Sequence, residues 1–246
     1  MSITQNVKRA KADYDMVYAE GKKSEYDAFW DIFQNYGVKT TDGYQYAFMY
    51  THWNDENFRP KYDLNGGNFY YAFMQTGIKD IPACLERQGV VLDTSEASSI
   101  TAMFSNSRCE VIPSIDTRNV SKLINIYYAC WYCHTIGTII LRDDGSQEFS
   151  NCFYGADDII NISIQGTIGQ NGFDIHWAKN LSKASILSIL SALSTTTNGL
   201  TVTLSLTAVN KAFEDHEGDN NGVASVEWAE LRASHSNWTI ATPEAT

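Results

Sequence analysis

The chain has no long apolar run and few basic residues. No stretch approaches the roughly 18 consecutive apolar residues that a membrane-spanning helix needs. Its 246 residues include 18 Lys and Arg against 29 Asp and Glu, which gives a net charge of −11. Because nucleic acids and anionic membrane surfaces are bound through clustered positive charge, this composition argues against both as partners.

The beginning of the sequence also lacks the apolar core of a secretory signal. Residues 1–8 lead directly into a charged segment, whereas a signal needs an apolar stretch before its cleavage site. We therefore expect a protein that is made in the cytoplasm and does not use the ordinary export route.

What the chain does have is an aromatic residue that recurs about every 25 residues. The recurring positions are Phe48, Phe73, Phe104, Tyr128 and Phe153, at intervals of 25, 31, 24 and 25 residues. The letters Tyr-Ala-Phe-Met at 46–49 return unchanged at 71–74. A period of this length is typical of repeats that bury their apolar faces only against their neighbours. The sequence therefore predicts a stacked solenoid, a fold used for binding more often than for catalysis.

The pattern inside the repeat predicts an α/β unit. Ile100, Met103 and Phe104 have the spacing of a helical face, which predicts a short helix that ends at the aromatic residue. The residues that follow are apolar and end at Pro or Gly, which predicts a short strand and a turn. The apolar strand positions shared by three repeats are Ile78, Cys109 and Cys133, then Ile81, Ile112 and Ile136.

At these positions the chain resembles the BspA-like leucine-rich repeat proteins, whose units carry an apolar-Phe pair, a Cys or small residue, an apolar strand and an Asp-Thr turn. The matching residues are Met103-Phe104, Cys109, Ile112, Ile115 and Asp116-Thr117, with a less regular copy at Cys152-Phe153, Ile159, Ile162 and Ile164. The resemblance implies a leucine-rich-repeat solenoid, interrupted by an insert around Cys84 to Gly89 that lengthens one interval.

The two ends of the chain differ from the repeats, and we divide it accordingly. Residues 1–43 are predicted to be an N-terminal helical segment, 44–170 the BspA-like repeats and 171–246 a C-terminal α/β capping module. In the first segment an apolar residue recurs at alternating steps of three and four, at Ile3, Val7, Ala10, Tyr14 and Val17. This heptad pattern fits either self-association or attachment to a larger assembly through residues 1–40, or a cap on the first repeat. Both interpretations stay open.

The C-terminal module is predicted to contain two helices and two strands. Ser182 is placed to cap a helix that reaches about Leu193. Alternating apolar and hydroxyl residues predict a strand over 200–206. A helix through Val226 and Trp228 and a last strand at 237–240 complete the module.

Two motifs suggest bound ions or cofactors. Cys130-Trp131-Tyr132-Cys133-His134 has the spacing of a c-type haem attachment site, but Cys133 also falls on the core position of the repeat, and four convergent zinc ligands are not visible. The five cysteines form no paired framework, so we expect small buried side chains and no cofactor. The loop with Glu217, Asp219 and Asn221 begins like a calcium loop, but its twelfth position is Trp228. We expect a solvated loop there, and ion binding stays open.

The remaining aromatic residues form the candidate ligand or partner surface. They lie outside the inward repeat positions and comprise Tyr50, Trp53, Tyr62, Tyr70, Trp131 and Tyr132. Exposed Tyr and Trp on a rigid surface offer a large contact area to carbohydrates or proteins at small entropic cost. The alternative is that they fill gaps between short structural elements. None of the five histidines lies beside a nucleophile motif, so we expect no enzyme.

The N-terminal third is also similar to leucine-rich repeat proteins encoded by phages and prophages of gut bacteria. The similar segments are 25–31, 53–55 and 61–63. This resemblance implies a tail- or surface-associated virion component that contacts a host-surface protein or glycan. We therefore expect a non-catalytic structural or recognition protein of a virion. The alternatives are a leucine-rich repeat adhesin of the bacterial cell surface and a structural virion subunit without receptor contact.

Overall fold

The computed structural model describes residues 44, 47–49, 53–60, 63–216, 218–219 and 221–244. The predicted N-terminal helical segment, 1–43, lies outside the described residues. The described chain forms a β-solenoid of about four turns. Every strand pairs in parallel with a strand of a neighbouring coil, as the sequence period predicts. The solenoid architecture is therefore confirmed.

The strands are short because each coil bends several times. The described strands are β1 (Leu64–Asn65), β2 (Leu92–Asp93), β3 (Val111–Ile112), β4 (Ile115–Asp116), β5 (Lys122–Ile124), β6 (Thr135–Ile140), β7 (Glu148–Ser150), β8 (Asn161–Gln165), β9 (Leu200–Thr203) and β10 (Trp238–Ala241). The described α-helices are α1 (Ile81–Gln88), α2 (Lys183–Ser191), α3 (Leu206–Ala212) and α4 (Val226–Ser234), and a 3-10 turn spans Gly222–Ala224. Strand β6 pairs with β3 and β4 on one side and with β8 on the other, which forms the largest sheet.

A column of stacked aromatic rings forms the centre of the solenoid. Neighbouring ring centroids lie 5.0 Å apart for Phe48 and Phe73, 5.5 Å for Phe73 and Phe104, 5.8 Å for Phe104 and Tyr127, and 5.3 Å for Tyr127 and Phe153. All five side chains are buried. The predicted column is confirmed at four positions and wrong at the fourth repeat, where the inward residue is Tyr127 and not Tyr128.

The corner around each inward ring is a turn and not the predicted short helix. Each of the four corners from Phe73 to Phe153 has two residues with positive φ, spaced four apart and flanking the ring. These residues are Tyr71 and Gln75, Ala102 and Asn106, Asn125 and Ala129, and Asn151 and Gly155. Left-handed residues at this spacing interrupt an α-helix. The backbone amides bond the next coil instead, with Phe104 N donating to Ile126 O at 2.9 Å and Tyr127 N donating to Cys152 O at 2.8 Å. The helix prediction is therefore wrong, because inter-coil bonds replace bonds within the segment.

The strand prediction is confirmed at Ile112 and Ile136, which lie in β3 and β6, and is wrong at Ile81, which begins helix α1. Ile112 pairs with Ile136, and Ile115 pairs with Ile139, so identical side chains stack from coil to coil. The residues Ile78, Cys109 and Cys133 have no exposed surface, as a shared core position requires. Burial of such a column is the main stabilising contribution available to a repeat of this size.

The insert that lengthens one repeat is helix α1. Asp80 caps its first turn by accepting a hydrogen bond from Ala83 N at 2.8 Å, and Gly89 ends it with a φ of 63°. Ile81, Cys84 and Leu85 face the core. The residues that delimit the helix are those expected for an N-cap and a C-terminal glycine.

Helix α2 covers the free edge of strand β8. The Ile162 N–H donates to Ser185 Oγ at 3.0 Å, and the Ile164 N–H donates to Ser188 Oγ at 2.9 Å. Two serine hydroxyls thus satisfy the backbone donors that the next strand would otherwise bind. The predicted helices around 182–193 and through Val226 and Trp228 are confirmed. The predicted strand over 200–206 ends at Thr203, where Ser205 caps helix α3.

Candidate binding surface

Two segments of neighbouring coils run side by side on one corner of the solenoid. Ala129 N donates to Tyr154 O at 2.7 Å, and Ile160 N donates to His134 O at 2.9 Å. These bonds fix both ends of the segments 129–134 and 155–160. Because the two segments have equal length, Trp131 lies level with Asp157 and Tyr132 lies level with Asp158.

The first segment places two side chains in solvent between two that lie in the core. Cys130 and Cys133 are fully buried, whereas Trp131 and Tyr132 are each 54% exposed. The Trp131 Nε1 atom lies 3.6 Å from the position that a Cβ on Gly155 would take, so the indole extends over the next coil. The two exposed rings are therefore presented on a backbone fixed by hydrogen bonds at both ends.

A second aromatic column lies outside the first. Tyr128 stacks on Tyr154 at a centroid distance of 5.1 Å with ring planes 12° apart, and Tyr154 contacts Trp177 at 5.0 Å. Tyr154 is 46% exposed. We call Tyr128, Trp131, Tyr132, Tyr154 and Trp177 the outer aromatic surface. A histidine continues it, since His176 packs on Trp177 at 4.8 Å and is held by Asp174, whose Oδ1 lies 2.6 Å from His176 Nδ1.

Polar side chains border the outer aromatic surface on the following coils. Asp157 and Asp158 are half-buried, and Lys179 and Asn180 are exposed at the corresponding positions of the next coil. Ser182 N donates to Ile160 O at 2.8 Å and keeps that coil in register. Asn180 Oδ1 accepts a hydrogen bond from Lys211 Nζ at 3.1 Å, which fixes its amide. We call Asp157, Asp158, Lys179 and Asn180 the polar flank.

The residues predicted for this surface have different positions in the structure. Trp131 and Tyr132 are exposed as predicted. Trp53 is not, because only 1% of it is exposed and its ring packs edge-on against Phe48 at 5.4 Å. Tyr70 is half-buried and stacks on Tyr71 at 4.0 Å. Tyr50 and Tyr62 lie outside the described residues.

Tyr154 and Trp177 are absent from the sequence prediction. Tyr128 and Tyr154 each follow an inward aromatic residue directly. An alignment with Tyr127 as the inward residue would therefore have revealed the outer column. Trp177 carries no such signal, since the corresponding position of the preceding coil is a glycine.

The cysteines of the Cys-x-x-Cys-His motif are core side chains. Cys130 Sγ donates to Phe104 O at 2.7 Å, and Cys133 Sγ donates to Thr135 O at 3.7 Å. Burial raises the pKa of Cys130 to about 12 and that of Cys133 further still. Thiols in this state are protonated near neutral pH, whereas metal binding and nucleophilic attack need the thiolate.

The acidic loop uses its carboxylates locally. Asp219 Oδ2 accepts from His216 N at 3.3 Å and Asp219 Oδ1 accepts from Asn221 N at 3.2 Å, while Glu217 lies outside the described residues. In the part of the chain that the structure describes, no group of three or more His, Cys, Asp or Glu side chains is arranged to hold a metal ion. The described helices are also too short or too polar to cross a bilayer.

The fold and this surface define the chain as a β-solenoid repeat protein with an exposed aromatic corner. Comparison with known proteins gives no matching family, no matching curated protein and no matching solved structure.

Proposed function

We propose that this chain is a non-catalytic recognition protein of a phage virion, associated with the tail or surface, which binds its partner through the outer aromatic surface. The observation that carries the proposal is the pair Trp131 and Tyr132, each 54% exposed on a segment held at both ends by inter-coil hydrogen bonds. Large rings that are already fixed lose little conformational entropy when a partner covers them.

The arrangement favours binding for a second reason. Covering the exposed parts of Trp131, Tyr132 and Tyr154 would remove apolar area from water, and interface hot spots are enriched in Trp and Tyr. The solenoid has no need of this exposure for its own packing, because the inner aromatic column supplies the core.

The leucine-rich-repeat and virion parts of the proposal come from the resemblances. The matches at Met103-Phe104, Cys109, Ile112 and Asp116-Thr117 support a BspA-like unit, and the phrases at 25–31 and 53–55 support the relation to phage-encoded proteins. In this proposal residues 1–40 attach the chain to other virion proteins or to itself, and the solenoid points toward the host surface.

A cell-binding measurement tests the recognition part. Fluorescently labelled full chain is incubated with a panel of gut bacterial cells, and bound label is measured by flow cytometry. We expect binding to at least one strain and loss of that binding in the double variant Trp131→Ala, Tyr132→Ala. Val91→Ala is the matched control, since Val91 is also exposed, at 59%, but belongs to another part of the coil.

Two results would contradict the proposal. If the double variant were unfolded by circular dichroism, the two rings would be structural rather than available for a partner. If the double variant stayed folded and bound cells as well as the original chain, recognition would use another surface.

The virion assignment is tested separately. Virus particles are purified from an induced lysogen that carries the coding sequence and are analysed by mass spectrometry, and absence of the chain from them would exclude the assignment.

A further inference from the structure

We infer that the outer aromatic surface and the polar flank together form a binding site for an uncharged glycan. This inference rests on the proposed recognition function and names the chemical class of its ligand. Sugar rings present apolar C–H faces and hydroxyl groups at the same time. A site for them needs aromatic rings beside hydrogen-bonding side chains.

The register of the coils brings both kinds of side chain together. Trp131 and Tyr132 lie level with Asp157 and Asp158, and the next coil adds Lys179 and Asn180 at the same level. Neighbouring coils of a β-solenoid are about 4.8 Å apart, as parallel strands are. The rings and the carboxylates therefore lie within reach of one sugar unit and its neighbour.

The exposed faces belong to Trp131 and Tyr132 and not to the outer column. Tyr128 and Tyr154 are stacked with planes 12° apart, so each covers one face of the other. Trp131 and Tyr132 lie one and two positions beyond Cys130 and are each more exposed than Tyr154, at 54% against 46%. They supply the aromatic platform of the site.

Asp157 has a feature that packing does not explain. Its Oδ1 atom is buried without a hydrogen-bond partner, although buried polar atoms are normally paired. The neighbouring Asp158 is also half-buried and ends no helix or strand. A buried oxygen does not itself reach a ligand, so the acceptors available to sugar hydroxyls are the exposed parts of the Asp157 and Asp158 carboxylates, on the coil next to the two rings.

The same side chains disfavour a protein partner at this place. A protein interface has an apolar centre depleted of charge, whereas Asp157 and Asp158 lie on the coil next to the rings and Lys179 on the coil after it. Covering them with protein would desolvate charges that then need matched partners. An anionic polysaccharide is disfavoured too, because the chain has a net charge of −11.

Affinity electrophoresis with soluble polysaccharides tests the inference. The full chain is run in native gels that contain β-glucan, mannan, arabinoxylan or dextran, or neutral polysaccharide extracted from a strain that the chain binds. We expect retardation by at least one of these. Trp131→Ala should weaken the interaction by about tenfold or more, which is the usual loss when an aromatic anchor is truncated. Trp131→Phe keeps an aromatic face and should retain most of the binding.

The polar flank is tested in the same gels. Asp158→Asn should weaken retardation, and Val226→Ala, a change at a side chain that is 72% exposed elsewhere on the molecule, should leave it unchanged. Asp157→Asn is used as a second variant if its melting temperature matches that of the original chain. If retardation were unchanged in Asp158→Asn and Asp157→Asn, the two carboxylates would not contribute to glycan binding, and this part of the inference would be wrong.

Cell treatment separates failure of this inference from failure of the proposed function. Periodate cleaves the vicinal diols of surface glycans, and protease removes surface proteins. If periodate abolishes cell binding and protease does not, the glycan inference is supported. If binding survives periodate but is lost with protease, the partner is a protein and the inference is wrong while the recognition function stands. If the chain binds neither cells nor polysaccharides, both fail.

Discussion

At the scale of the single residue, Tyr127 is the exception in the inner aromatic column. The other members of the column are phenylalanines, and Tyr127 places a buried hydroxyl among them that has no hydrogen-bond partner. The plane of the Tyr127 ring is tilted by only 3° from that of Phe104, so the ring itself fits the column. The desolvated hydroxyl is therefore a cost that the ring packing offsets.

We predict that Tyr127→Phe stabilises the protein. Removing an unsatisfied buried hydroxyl should raise the free energy of unfolding by about 1 kcal/mol. Urea denaturation followed by circular dichroism measures the change, which should raise the midpoint and leave the slope unaltered. Phe104→Tyr is the reciprocal control and should destabilise. A destabilised Tyr127→Phe variant would show that the hydroxyl has a partner, such as a buried water.

The thiols give a prediction on pH. All five cysteines are free and buried, and burial raises the pKa of Cys130 and Cys152 to about 12. Since the unfolded chain ionises its thiols near pH 8.5, it binds fewer protons than the folded chain above that pH. We expect the free energy of unfolding to decrease as the pH rises above about 8.5. The decrease should be larger than in a variant in which both Cys130 and Cys152 are changed to alanine.

The reactivity of the thiols gives an independent measurement of how deeply the cysteines are buried. At pH 8 the folded chain should react slowly with Ellman's reagent, and after denaturation it should titrate five thiols. Rapid reaction of one or two thiols in the folded chain would show that the Cys130 or Cys133 side chain reaches solvent, and it would reopen the Cys-x-x-Cys-His motif as a chemical site.

At the scale of the element, helix α2 shows how one sheet of the stack can end without an exposed strand edge. Its serines replace the next strand as acceptors for β8, and Ser185 is almost fully buried, at 2% exposed. Ser182 caps the same helix by accepting from Ser185 N at 3.3 Å. Serine hydroxyls of this segment therefore cap the start of the helix and also close one edge of the sheet.

We predict that Ser185→Ala costs about 1–3 kcal/mol, because it leaves the buried Ile162 N–H without an acceptor. Ser188→Ala should have a smaller effect, since Ser188 is only half-buried. Ser191→Ala is the matched control, as Ser191 is exposed and bonds only within the helix. Thermal denaturation of the three variants measures the differences. Equal melting temperatures for Ser185→Ala and Ser191→Ala would mean that the hydroxyl does not close the edge.

The elements also show where sequence analysis succeeds and where it does not. The apolar column through Ile112 and Ile136 is predictable, because a buried strand position tolerates few residue types. The choice between Tyr127 and Tyr128 is not, since either aromatic residue could fill the core and only the left-handed residues at Asn125 and Ala129 fix the register. The helical spacing of Ile100 and Phe104 is misleading, because a tight turn can bury the same residues without helical bonds.

For the candidate site, the sequence predicts the exposure of Trp131 and Tyr132 and not the polar flank. Two cysteines in core positions leave the pair between them to face solvent. Asp157 and Asp158 join them only through the alignment of neighbouring coils, which depends on the backbone bonds at Tyr154 and His134. Trp53 is predicted wrongly because its burial depends on how the first described coil folds over Phe48.

At the scale of the whole molecule, each coil contacts mainly its neighbours. Stability in such a stack is approximately a sum of coil and interface contributions. The inter-coil bond of Phe104 N to Ile126 O lies in the middle of the stack, whereas the bond of Gly199 N to Asn237 O lies near its described end. Opening of the end coils requires the loss of one interface, and opening of the middle requires the loss of two.

We therefore predict graded protection along the stack. In native-state hydrogen exchange the amides of Phe73, Phe104 and Tyr127 should be the slowest, and that of Gly199 should exchange faster at the same pH. Mass spectrometry or NMR measures the rates. Equal protection of Tyr127 and Gly199 would mean that the described coils open as a single unit.

The corner bonds have a consequence for how such a chain can change. Each corner is fixed by amides that donate to the next coil, while the interval between corners ranges from 23 residues, between Phe104 and Tyr127, to 31, between Phe73 and Phe104. The longer interval accommodates helix α1 without disturbing the stacked rings. Loops between corners can therefore differ in length and sequence while the stacked rings keep their positions.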